Sequence, residues 1–126
     1  MKYEDALKLV REERELFRIN SLKFSARQRG ERCVPHFHFE TKDKSRKGAI
    51  MIDAPKYYKH DDYTSELKKE EKIFLVKWCK DWRNWYKMAK EWNDSVKEGN
   101  KINLPEPNSQ ENIEKIIAMI PDYALL

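Results

Sequence analysis

Cysteine is scarce in this chain. Its two residues, Cys33 and Cys79, lie far apart and outside any CxxC pair, which fits free thiols in a reducing compartment. No apolar run approaches the roughly 20 residues needed to span a bilayer. The polar opening Met1-Lys2-Tyr3-Glu4-Asp5 does not read as a secretory signal. These absences point to a cytoplasmic protein with no membrane partner. Also missing are a P-loop, a GxGxxG turn, an HExxH helix and a nucleophile elbow, so nucleotide-driven and triad enzymes are disfavoured. No internal repeat or low-complexity tract occurs.

What is present suits one domain over residues 1–126: 40% apolar and 12% aromatic residues suffice for a core, and 38% charged residues solvate a large exterior. The net charge of +4 is unevenly spread. Arg18, Lys23, Arg27, Arg29 and Arg32 face only Glu31, and Lys42, Lys44, Arg46 and Lys47 are interrupted only by Asp43, whereas the stretch from Glu98 onward is net acidic. Such asymmetry can steer a polyanion to one side of a fold. Arg27, Arg29, Arg32, Lys42, Lys44, Arg46 and Lys47 are therefore candidate nucleic-acid contacts. The plainer account is hairpin turns kept soluble by Lys and Arg.

Tyr3, Leu7, Val10, Arg14 and Phe17 recur at helical spacing and predict an N-terminal helix over Tyr3–Phe17. Leu22, Phe24 and Ala26 alternate with polar residues as a strand, and a turn follows around Gly30. Val34–Glu40 alternates strictly, with Phe37 and Phe39 on one face and His36, His38 and Glu40 on the other. A second run, Gly48–Asp53, stops at Pro55. A hairpin turning at Lys44-Ser45 places Phe39 opposite Ile50, Phe37 opposite Ile52, His36 opposite Asp53 and His38 opposite Met51. A one-residue slip would put the Phe and Ile residues on opposite faces, so parity is fixed by the pattern, while a two-residue slip stays open.

After the aromatic connection Pro55–Tyr63, Thr64 or Ser65 is expected to cap a long helix that runs to Gly99. Leu67, Phe74, Trp78, Trp82, Trp85, Ala89, Trp92 and Val96 form its stripe. Their periodicity favours core over base stacking, with Trp92 the most exposed of the tryptophans. Ser109 caps a short last helix carrying Ile113, Ile116, Ile117 and Ile120, ended by Pro121. The expected class is α+β: an N-terminal helix, a small antiparallel three-stranded meander packed on a long Trp-rich helix, and a short C-terminal helix.

His36-x-His38-x-Glu40 is the sharpest chemical constellation. Residues two apart on a strand are roughly 6.5–7 Å apart, from where two imidazoles can converge on a divalent metal. Glu40, Asp53 or His60 would complete the shell, and an open position would activate water. Without metal, the pair can act as acid and base on a phosphodiester, with His36, His38 and Asp53 as catalytic candidates. The structural alternative is that the rings hydrogen-bond to neighbouring carboxylates or backbone. Fewer than four obvious ligands argues against a closed structural metal site. Tyr57, Tyr58, His60, Asp61, Asp62 and Tyr63 either rim a pocket or form a plain loop.

Pro35-His36-Phe37-His38, the Gly48–Asp53 strand and the Glu66–Asn93 stretch ending in Trp92-Asn93 resemble, in that order, a family of small bacterial and phage proteins of unknown function. The resemblance covers about half the chain, and the N-terminal helix and Pro-containing C-terminal segment depart from it. It implies the fold and a setting near toxin–antitoxin or mobile-element genes, and no reaction. The leading expectation is a small binding or regulatory protein, in a phage–host or toxin–antitoxin conflict, acting through a protein or nucleic-acid partner. The alternative is a phosphodiester hydrolase using His36 and His38. An oligomer is compatible with either.

Overall fold

Hydrophobic alternation is symmetric about Asn20-Ser21: Ile19 and Leu22, then Phe17 and Phe24, fall at equal distances from that dipeptide. The computed structural model, which describes residues 13–27, 34–59, 65–96 and 100–126, turns this symmetry into a hairpin. Strand β1 (Glu13–Ile19) pairs with β2 (Leu22–Arg27), with Ile19 opposite Leu22 and Phe17 opposite Phe24. Asn20 makes the turn at φ 53°, a left-handed conformation that Asn tolerates better than most residues. The register shifts between Glu15 and Phe17, so Leu16 is the extra residue of a bulge. Two corrections follow. Glu13–Phe17 belongs to a strand and not to the expected N-terminal helix, and the sheet has four strands and not three. The helical spacing was outweighed by pairing with β2 and by the Phe17 ring stacking on Phe24 at 4.3 Å. Residues 3–12 of the expected helix lie outside the described residues.

Strands β3 (His36–Thr41) and β4 (Lys47–Met51) complete an antiparallel sheet in the order β1-β2-β3-β4. The hydrophobic parity is as expected, but the register is slipped by two: Phe37 lies opposite Ile50, Phe39 opposite Gly48, His38 opposite Ala49 and His36 opposite Met51. The loop is the cause. Asp43 Oδ1 accepts hydrogen bonds from the Thr41 hydroxyl, the Ser45 hydroxyl and the Ser45 N–H at 2.8–3.0 Å. These bonds fold residues 42–45 into one turn, with Lys44 at φ 60° and the Thr41 N–H donating to the Arg46 carbonyl. His36 therefore does not face Asp53, which is exposed beyond the end of β4.

Gly48 is required by its neighbours. A Cβ there would meet the Phe39 ring and lie 2.7 Å from the Ser65 carbonyl, closer than any real contact. Ser65 is not the expected helix cap, a position that Lys68 takes, and Thr64 lies outside the described residues. The Ser65 N–H donates to the Lys47 carbonyl and its hydroxyl accepts from the Lys47 N–H, which extends the sheet edge.

The expected long helix is two helices, α1 (Lys69–Cys79) and α2 (Trp82–Ser95). Glu71 reaches back to accept from the Lys68 N–H at the start of α1, as an N3 glutamate does in a capping box. The break lies at Lys80-Asp81, where the Asp81 carboxylate accepts from the Arg83 N–H and caps α2. A break rotates the stripe. Trp85 is fully buried, Trp78 and Trp82 are half-buried, and Phe74 is 38% exposed. Trp92, expected to be the most exposed tryptophan, is 3% exposed. Its indole N–H donates to the Asn100 carbonyl. Helix α2 ends at Ser95, where Val96 turns extended, and so stops short of the expected end at Gly99. The last helix, α3 (Gln110–Met119), is capped by Ser109 as expected, and a single 3₁₀ turn, Tyr123–Leu125, follows.

One sheet face carries Phe24, Phe37, Phe39, Ile50 and Ile52, all fully buried. Phe74 and Trp78 of α1 lie against Phe17 at 5.6 and 4.6 Å, and Tyr123 meets Phe37 edge-on at 6.0 Å. The Ile52 carbonyl accepts from the Trp85 indole at 3.0 Å and the Tyr123 hydroxyl at 2.8 Å. One buried acceptor thus ties the end of β4 to α2 and to the 3₁₀ turn, and burial raises the Tyr123 hydroxyl well above its ordinary pKa.

Candidate nucleic-acid interface

Strand alternation does place His36, His38 and Glu40 on one face, opposite Phe37 and Phe39, but this face is not open. His36 and His38 are each 2% exposed. Their rings meet edge-on with centroids 4.8 Å apart, and His36 also packs against Tyr58 at 4.8 Å and Trp92 at 5.1 Å. His36 Nδ1 lies 2.8 Å from the Val34 carbonyl. Because a carbonyl only accepts, that nitrogen carries the proton. A backbone hydrogen bond of this kind is what the structural account of the pair requires.

The third member of the constellation is drawn elsewhere. The Glu40 carboxylate lies 3.7 Å from the Lys23 ammonium and 3.5 Å from that of Lys44. Among the described residues no group of three or more His, Cys, Asp or Glu side chains gathers where it could hold a metal ion. His60, Asp61, Asp62 and Tyr63 lie outside the described residues. Tyr57 is structural, its hydroxyl accepting from the Leu67 N–H at 2.9 Å. Cys79 is buried, and desolvation pushes its thiol up to about 12, so it is not a nucleophile at neutral pH.

The basic candidates separate into two groups. Arg46 is engaged within the fold: its guanidinium donates to both Glu71 carboxylate oxygens at 2.7 and 2.8 Å and to the Glu66 carbonyl at 2.9 Å. Its pKa is raised by the hydrogen bond to Glu71. Lys47 is half-buried, with its backbone bound to Ser65. Arg27 ends β2, and Arg29 and Arg32 lie outside the described residues.

Lys42 and Lys44 are exposed and acquire neighbours that sequence reasoning did not assign to them. Leu22 pairs with Thr41, so the Asn20-Ser21 turn and the 42–45 turn stand side by side at one end of the sheet. Between them is a recess of about 480 Å³ lined by Arg18, Ser21, Lys23, Glu40, Thr41, Lys42 and Lys44. A second recess of about 520 Å³ adjoins it, sharing Ser21, Thr41 and Lys42 and adding Asp43 and Ser45. The charge balance in the first is four cations against the carboxylate of Glu40. Arg18 is half-exposed and paired with Glu15 at 2.8 Å. The Asp43 carboxylate is occupied by Thr41 and Ser45, which hold its pKa below the ordinary value. The pairs at Glu40 are long and the Lys44 side chain is 63% exposed, so they hold the lysines only weakly. Arg18 and Lys23 were legible as basic residues. Their meeting with Lys42 and Lys44 depended on a β1–β2 hairpin that a helical reading of Tyr3–Phe17 concealed.

No described helix is long and apolar enough to cross a membrane. No family model, curated protein or solved structure matches the chain.

Proposed function

We propose that this domain is a small cytoplasmic binding module that engages a nucleic-acid backbone through the hairpin-turn end of its sheet. The observation that carries the reading is the recess between the two turns, which Arg18, Lys23, Lys42 and Lys44 line together with Ser21 and Thr41. Ammonium and guanidinium groups beside the Ser21 hydroxyl are the chemistry that holds phosphate oxygens, while the Thr41 hydroxyl already donates to Asp43. A phosphate would compete with Glu40 for Lys23 and Lys44. Contacts of this kind recognise backbone charge and do not by themselves specify sequence. The resemblance of the Pro35–His38 strand suggests a phage–host or toxin–antitoxin setting, in which occupying a nucleic-acid surface would itself be regulatory.

Hydrolysis at His36 and His38 has less support, since burial of both rings keeps a phosphodiester from reaching them.

Fluorescence anisotropy with labelled single- and double-stranded oligonucleotides tests the proposal. Affinity should fall linearly in log–log form with salt through counterion release, and Lys42→Ala and Lys44→Ala should each lower the slope by about one. Glu40→Gln should tighten binding by removing the competing carboxylate. No binding at low salt, or binding indifferent to salt, overturns the reading.

A further inference from the structure

A second surface, distant in sequence from the basic turns, combines exposed apolar side chains with lysines. On the outer side of α1, Lys69, Ile73, Val76 and Lys80 follow one another at steps of four, three and four, flanked by Lys72 and Lys77. Together with Ala124 they line a recess of about 630 Å³. A neighbouring recess of about 320 Å³ shares Val76 and Lys80 and adds Ile117, Ile120 and Pro121. The two form a groove with an apolar floor. Ile73 is 55% exposed, Ile117 49% and the nearby Leu125 71%.

We propose that this groove docks an acidic amphipathic segment of a partner protein. Apolar side chains of the segment would cover Ile73, Val76, Ile117 and Ile120, and its carboxylates would meet Lys69, Lys72, Lys77 and Lys80. The charge pattern selects this occupant. Among the described residues, Lys69, Lys77 and Lys80 form no ion pair, and the Lys72 ammonium donates to the Leu126 carbonyl at 2.9 Å. Asp122, the one carboxylate lining the groove among the described residues, accepts from the Ala124 N–H at 3.1 Å. Lys69, Lys77 and Lys80 beside the isoleucines leave both unmatched charge and unmatched apolar surface, and a segment carrying Asp or Glu beside Leu or Ile answers both. A nucleic acid would answer the charge and leave the isoleucines in water. A bilayer is flat, whereas this surface is concave.

The probe is a labelled helical peptide with Leu at i, i+3, i+4 and i+7 and Asp or Glu elsewhere, beside a counterpart with Lys at every acidic position. The acidic peptide should bind and the lysine peptide should not. Ile73→Glu and Lys77→Glu should each weaken binding by about tenfold or more, as loss of a central interface contact does. Lys42→Ala should leave it unchanged, which separates this surface from the basic turns. Ile73 and Lys77 are exposed, so both variants should fold, and circular dichroism checks this. Equal binding of the two peptides, no binding of the acidic one, or indifference to Ile73→Glu overturns the proposal. So does binding to phosphatidylserine vesicles that Ile73→Glu abolishes while the peptide fails to bind, which would assign the groove to a membrane surface.

Discussion

Replacing Arg46 by glutamine separates the basic residues that build the fold from those that face outward. The guanidinium makes a two-pronged contact with Glu71 and a further bond to the Glu66 carbonyl, with the Arg46 and Glu71 side chains 25% and 8% exposed. Removing one member of a fully buried pair costs about 3–5 kcal/mol, chiefly because the other charge is stranded. Here the guanidinium is partly solvated and Glu71 keeps its bond from the Lys68 N–H, so the expected loss is about 2–3 kcal/mol. That corresponds to a fall in Tm on the order of 10 °C.

The loss should depend on pH. Burial alone pushes the Glu71 pKa up, but the hydrogen bonds from Arg46 and Lys68 outweigh it and hold the folded value below the ordinary one. A depressed folded pKa contributes stability that is present above the unfolded value and lost as pH falls through the folded one. In Arg46→Gln the burial effect faces less opposition, and protonated Glu71 needs no cation. The gap between variant and parent should therefore be widest near neutrality and narrow towards about pH 4, where glutamate protonates. Urea unfolding followed by tryptophan fluorescence at both pH values measures it, and Glu71→Gln closes a double-mutant cycle. An equal gap at both pH values refutes the reasoning. So does unchanged stability with loss of oligonucleotide binding, which would return Arg46 to the interface.

Gly48→Ala should destabilise by about 1–3 kcal/mol through overpacking against Phe39 and the Ser65 carbonyl, and an unchanged Tm would show that the site relaxes. Trp85→Ala should cost about 3–5 kcal/mol and half-buried Trp82→Ala clearly less; equal losses would contradict the helix break at Lys80-Asp81. In a Cys33→Ser background, Cys79 should resist a thiol reagent near neutral pH until the protein unfolds, since its thiol is buried with a pKa of about 12, and rapid native labelling would refute that.

The face of each strand was legible because a period of two leaves no ambiguity: Phe37 and Phe39 could share only one side. Register was not legible, because the Asp43 hydrogen bonds that set the turn involve Thr41 and Ser45 together, and hydrophobic parity is indifferent to a slip of two. The N-terminal strand was hidden by chance helical spacing from Tyr3 to Phe17, although Asn20-Ser21 between Phe17-x-Ile19 and Leu22-x-Phe24 carried a hairpin signal. The helix break was signalled only by Asp81, a good cap lying inside an otherwise continuous stripe. Lys42 and Lys44 were visible as candidates from charge alone. Arg46, equally basic in sequence, is turned into the fold by a glutamate 25 positions away, a contact no local pattern encodes. The histidine pair shows the same limit, since alternation gave its face but not its burial.

The most direct test of the binding account is residue-resolved mapping of the contact in solution. A short oligonucleotide titrated into the ¹⁵N-labelled protein at low salt should shift the amide resonances of Ser21, Lys23, Thr41, Lys42 and Lys44, and the shifts should reverse as salt is added. Shifts confined to His36, His38 and Tyr58, or no shifts at all, would contradict it.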